Sequence, residues 1–127
     1  MTNYYKYIIK KGLRVSEINP GSSEYALGVS DALDVVKLIR GKNVAVLGGD
    51  ILTNKDGELI YAYQFWGSSY HYLNWHCDQS PQEPAREYIS RSQQLAENSI
   101  ELASKTAESL NQNCYVVLIL KEIPFSH

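Results

Sequence analysis

A chain of 127 residues with a formal net charge of −2 has room for one hydrophobic core and not two, and its charge is too small to predict nucleic acid or an anionic membrane as a partner. The longest apolar run, Cys114 to Leu120, is far short of a bilayer span and no charged-apolar-small leader opens the sequence, so one soluble, cytoplasmic domain over residues 1–127 is expected. Two cysteines, Cys77 and Cys114, do not make a disulfide framework and are read as free thiols.

In chain order, residues 3–11 predict a short helix with Tyr5, Ile8 and Ile9 on one side and Gly12 as a left-handed exit. Leu13 to Ile18 reads as extended, and Asn19-Pro20-Gly21-Ser22-Ser23 as a loop. Ser30 is placed as the N-cap of a helix through Arg40, with Ala32, Val35, Val36 and Ile39 on its buried face and Gly41 closing it. Residues 43–53 and 58–66 are β-rich runs joined by the turn Asn54-Lys55-Asp56-Gly57, and Tyr70 to Trp75 is predicted as a third strand of the same meander. Ser80 and Glu83 have the spacing of a capping box, with Pro84 blurring where the helix begins. From Ala85 to Leu110 the positions Tyr88, Ile89, Ser92, Ala96, Ile100, Ala103 and Ala107 keep a helical period. Cys114 to Ile123 then reads as a final, central strand. The expected fold is α+β: an antiparallel sheet of about four strands, with a long C-terminal helix and one or two shorter helices packed mainly on one face.

Chemistry is sparse along the chain. The pair Gly48-Gly49 inside a β-branched run marks a bulge or a close backbone approach, with Asp50 set at the irregularity. Enzymes that make cyclic dinucleotides also carry Gly-Gly-Asp, but Ile51-Leu52 follows here in place of an acidic and an aromatic residue. His71, His76, Cys77 and Asp78 include metal-ligand types, yet zinc sites draw on two separated pairs, and His71 and His76 fall on opposite faces of an extended segment. No metal and no cofactor is expected. Tyr61, Tyr63, Phe65, Trp66, Tyr70, Tyr72 and Trp75 crowd into fifteen residues. Tyr61, Tyr63 and Phe65 are assigned toward the helices, and the remainder to sheet packing or to a protein-binding surface. Residues 43–83 hold one lysine, Lys55, against Asp50, Asp56, Glu58, Asp78 and Glu83, a balance of −4. Base-stacking proteins surround their aromatics with Lys and Arg, so nucleic acid is not the expected partner of this segment.

An apolar helix, then Leu47-Gly48-Gly49-Asp50, then Asn74-Trp75, then Tyr88-x-x-Arg91-Ser92 opening a long helix: this order, running from about Leu27 to Leu120, resembles a family of immunity proteins of bacterial polymorphic toxin and contact-dependent inhibition systems. The resemblance implies a non-enzymatic protein that binds a cognate toxin domain and occludes its working surface. Asp50, Asp56, Glu58, Trp66, Tyr70, Trp75, Asp78 and Glu83 are the candidate partner-binding residues. Gly48, Gly49, Asn74, Tyr88, Arg91 and Ser92 are assigned to fixing the fold, the last three in a hydrogen-bonded cluster with Asn74, Trp75 or Asp50. Two rival readings stay open: a small ligand-binding or hydrolytic domain using Asp50, His71 or His76, and a module that dimerises through its aromatic surface.

Overall fold

Residues 3–15 and 24–124 are described by a computed structural model. They form α1 (Asn3–Lys11), β1 (Leu13–Arg14), β2 (Tyr25–Gly28), α2 (Val29–Ile39), β3 (Val44–Lys55), β4 (Glu58–Tyr61), α3 (Ala62–Trp66), a 3-10 helix (Ser68–Leu73), β5 (Trp75–His76), α4 (Ala85–Ser109) and β6 (Tyr115–Glu122). The fold is α+β, as expected, and its antiparallel sheet has the order β1-β2-β6-β3-β4, with β5 also paired to β3. There are six strands and not about four. The surplus lies in the two-residue β1 and the four-residue β2, and the strand expected over 70–75 shrinks to the two-residue β5; all three are too short to show a period of two.

The main core joins α1, α2 and α4 to one face of the sheet through Ile8, Leu27, Val36, Ile51, Ile100 and Val116. The opposite face carries a separate apolar cluster of Val15, Ala26, Leu52 and Val117, to which no helix contributes among the described residues. α4 presents the expected stripe, and its alanines let the helix lie close to β3. It ends on Asn111, which takes a positive φ of 55° while Gln112 N–H reaches back to Ala107 O at 2.9 Å and Asn111 N–H to Glu108 O at 3.0 Å, a paired closure of the last turn.

Local departures from the sequence reading have physical causes. Tyr4 and Ile8 are the buried residues of α1, whereas Tyr5 and Ile9 are 41% and 38% exposed, because the helix leans on α2 and β2 along its 4/8 edge. Gly12 is not left-handed. Its need is room, since a Cβ there would sit 2.7 Å from both Ile8 O and Tyr25 Cβ. Gly28, not Ser30, occupies the N-cap of α2, because β2 runs straight into the helix with no loop between them. Ser80 and Glu83 do form half of the predicted box, Ser80 N–H donating to the Glu83 carboxylate at 3.0 Å, but in a turn ahead of the helix, whose N-cap is Pro84. The loop 19–23 and the far end of the extended piece 13–18 lie outside the described residues.

The largest departure lies between residues 58 and 75. Asp56 and Gly57, at φ 53° and 89°, make a two-residue hairpin turn, and Asn54 Oδ1 accepts the Gly57 N–H at 2.9 Å. β4 then stops at Tyr61, and Tyr70 to Leu73 is helical, not a strand. Alternation of large aromatics predicted strand there, but β4 can follow β3 only along Leu52 to Lys55. One step further the same edge of β3 is taken by Asn74 and β5. The chain must leave the sheet, and Ala62, not Phe65, is the residue that α3 buries. Phe65 is 40% exposed and lies under the Lys55 ammonium, 4.8 Å from its ring centre.

Candidate functional site

β3 is the strand on which every motif of the sequence converges. Its register against β6 slips between Val46, opposite Leu120, and Gly48, opposite Ile119, so Leu47 is the extra residue of a bulge. β5 closes against this point: Gly48 pairs with His76, Gly49 with Trp75, and Cys77 N–H donates to Leu47 O at 2.8 Å. A Cβ on Gly48 would collide with the Trp75 carbonyl, and one on Gly49 would lie 2.6 Å from Cζ3 and 2.8 Å from Cζ2 of the Trp75 ring. Bulge and close approach therefore occur together. Asn74 explains its place beside Trp75: its Oδ1 accepts the Ile51 N–H at 2.7 Å, supplying the acceptor that neither β4 nor β5 reaches.

Ser92 does the same at the other end of the bulge. Its hydroxyl accepts the Val46 N–H at 3.0 Å and donates to Ile89 O at 2.8 Å. Next to it, the buried Gln93 amide donates to Ile39 O at 3.0 Å and to Val44 O at 2.9 Å, tying the end of α2 to the start of β3. Sequence reasoning missed Gln93, although it falls on the apolar stripe between Ile89 and Ile100. The Tyr88 hydroxyl donates to Cys77 O at 2.6 Å. Arg91 grips Glu83 with two hydrogen bonds of 2.8 and 2.7 Å, and donates to Asp78 O and Cys77 Sγ at 2.8 and 3.3 Å. The three helix residues thus anchor the segment 77–83 and the bulge, in place of the expected cluster with Asn74, Trp75 or Asp50.

Hydrogen bonds from Arg91, with the Ser80 N–H adding to them, pull the Glu83 carboxyl down to about 2. A lowered folded value means that this clamp stabilises fully above the usual carboxylate range near 4.5 and fades as pH falls toward 2. Acid titration of the parent should therefore show the Tyr88–Cys77 region loosening between those limits, a pH dependence that Glu83→Gln should lack. A parent and Glu83→Gln with the same acid profile would contradict it. Cys77 has its thiol pushed up by burial, and Cys114 is raised to about 11 by the same cause, so neither is poised as a thiolate nucleophile.

The structure distributes the candidate partner-binding residues over two ends of β3. Asp56 and Glu58 stand at the hairpin tip, whereas Asp78 follows β5 near Val46, roughly 30 Å away at 3.3 Å per strand residue. Glu83 is committed to Arg91. Trp66, Trp75 and Tyr70 are half-buried against the main core, Tyr70 edge-on to Trp66 at 6.2 Å, and both indole N–H groups are buried without an acceptor. The exposed aromatics of the segment are instead Phe65 and Tyr72, the latter 61% exposed. Asp50 and His71 come within electrostatic reach of each other beside Tyr61 and Tyr63, while His76 is exposed on β5. Among the described residues no group of three or more His, Cys, Asp or Glu side chains is arranged for a metal ion, and no helix is long and apolar enough to cross a membrane.

A protein-family model described as immunity protein 40 (Imm40) matches residues 14–120. No curated protein and no solved structure matches the chain.

Proposed function

Because the chain belongs to the immunity protein 40 family, an immunity family of polymorphic toxin systems, we propose that it is a non-enzymatic inhibitor that binds one cognate toxin domain and covers that toxin's active or substrate-binding surface. The match across residues 14–120 carries this reading. Its site of action is the cytoplasm and its partner a protein, whether the toxin comes from a contact-dependent inhibition system or another delivery route. Of the two ends of β3, the hairpin end offers more to a partner. There Asp56 and Glu58 lie with the exposed Phe65, and Tyr72 is a second exposed ring of the segment that follows the hairpin, whereas the carboxylate of Glu83 at the other end already has its cation. Carboxylates around solvent-facing aromatic rings suit a toxin with a basic cleft, by steering its approach and then excluding water from the contact.

The test uses the cognate toxin domain, with growth protection and association kinetics measured on purified proteins. Protection and a stoichiometric complex are expected, with no turnover of toxin or nucleic acid by the inhibitor alone. Asp56→Lys with Glu58→Lys should slow association while leaving the circular dichroism spectrum unchanged, since rim charges act mainly on the on-rate. Tyr72→Ala should weaken binding by about 2 kcal/mol, as truncation of an aromatic anchor does. A larger loss with Asp78→Lys than with the hairpin pair would move the surface to the β5 end. Absence of any complex would remove the reading itself.

A further inference from the structure

Asp50 is the one residue of the central strand whose chemistry the fold leaves unused. Gly49 and Ile51 on either side of it face Trp75 and the main core, so strand alternation turns Asp50 to the face away from α4, opposite Val117. A half-buried carboxylate usually accepts several hydrogen bonds or pairs with a cation. Among the described residues, Asp50 has no hydrogen bond and no ion pair. The desolvation is therefore uncompensated, and burial, reinforced by the charge of Glu24 and opposed by that of His71, pushes its carboxyl above the usual range.

What surrounds it is aromatic. Tyr61 leaves β4 beside Leu52 on this same face, where it packs with Leu59, Tyr115 and Ile119, and feels the Asp50 charge directly. Tyr63 stacks on Tyr61 with ring centres 5.8 Å apart and planes 22° from parallel, and the His71 ring meets Tyr63 edge-on at 4.6 Å. A carboxylate sharing one sheet face with tyrosine and histidine rings has the composition of a receptor for a planar cation, which stacks on a ring while its N–H groups fork onto the carboxylate oxygens. A lysine would use the charge and leave the stacking surface idle.

We propose that Asp50, with Tyr61, Tyr63 and His71, forms the receptor for one arginine side chain presented by the toxin domain. The inference rests on the immunity reading and assigns to it a central contact: the arginine supplies the countercharge Asp50 lacks, the tyrosine pair covers the guanidinium, and Glu24 adds negative potential. Glu58 and Asp56 at the tip of the same hairpin favour a basic partner over an acidic one.

Dissociation of the complex with the cognate toxin domain, followed by surface plasmon resonance, tests the assignment. Asp50→Asn keeps the shape and removes the charge, and should speed dissociation by about tenfold or more while its melting temperature holds or rises. Tyr63→Ala should act in the same direction and Tyr63→Phe should retain tight binding, whereas Glu108→Gln on the exposed side of α4 should change nothing. Lowering the pH should weaken the parent complex more steeply than the Asp50→Asn complex, because Asp50 gains a proton and His71, Glu24 and the two tyrosines are the other ionisable groups facing it. Folded Asp50→Asn dissociating at the parental rate overturns the proposal, and so does an unaltered rate for Tyr63→Ala should Asp50→Asn not fold. Failure of the parent to bind the toxin at all is a different result: it removes the immunity reading and this inference with it.

Discussion

Gly49→Val is expected to abolish cooperative folding, and Gly49→Ala to lower stability by about 3 kcal/mol, the upper range for forcing extra carbon into a packed site. The cause is local. The Trp75 ring lies where a Cβ on Gly49 would be, and Trp75 is held there by its pairing with Gly49 across β5 and by the main core beneath it. A methyl group therefore displaces the indole, and the two methyl groups of valine displace it further. The discriminating measurement is a double-mutant cycle. If the indole is the obstacle, Trp75→Ala makes room for the new Cβ, and the pair Gly49→Ala with Trp75→Ala should cost less than the sum of the singles by about 1–3 kcal/mol. Additive costs would show that Gly49 is needed for some other reason, and an unchanged melting curve for Gly49→Val would show that it is not needed.

Removing the two side chains that complete β3 should have the next largest effect. Ser92→Ala leaves the Val46 N–H without an acceptor, and Asn74→Ala does the same to Ile51 N–H. Val46 and Ile51 are both buried, so water cannot step in. Each loss should cost about 1–3 kcal/mol. The two amides are separated by about 15 Å along the strand, far enough for the costs to add, and the double variant should lose a large part of a typical domain's 5–15 kcal/mol. Urea unfolding gives the sum, and amide hydrogen exchange at Val46 and Ile51 locates it. Full-strength protection of both amides in the double variant would refute the assignment.

How far the sequence carries the reader depends on whether a residue's neighbours are near in the chain. α4 was legible because its partner surface selects a 3.6-residue stripe over 25 residues, long enough for the period to show. The Gly-Gly pair was legible because two glycines among β-branched residues need a reason, and bulge and Trp75 together supply it. Residues 62–73 were not. Their β propensity is real, but whether a strand continues depends on a free edge, and that edge is occupied by Asn74, a residue further on in the chain. The burial of Trp66 and Trp75 was hidden for the same reason: their packing depends on where the chain goes after leaving the sheet, so the exposed aromatics turned out to be Phe65 and Tyr72. Tyr88, Arg91 and Ser92 stood out in the sequence, while their partners, Cys77, Glu83 and Val46, depend on how the 77–83 turn folds back.

The position of β6 has a consequence for how the molecule comes into being. β6 sits between β2 and β3 in the sheet, yet it follows both of them, and all of α4, in the chain. A ribosome that has released everything through α4 has made a β3 with one ladder edge vacant along eight residues and a β2 with no neighbour on that side. Hairpin and helices can form early, but the sheet closes only when the final eight-residue strand threads into the gap, a non-local pairing of the kind that slows folding. During that interval the apolar edge of β3 is a template for other chains. Production of this protein in quantity should accordingly depend on chaperones that shield nascent strands, and any protective effect should begin only once β6 has emerged and paired.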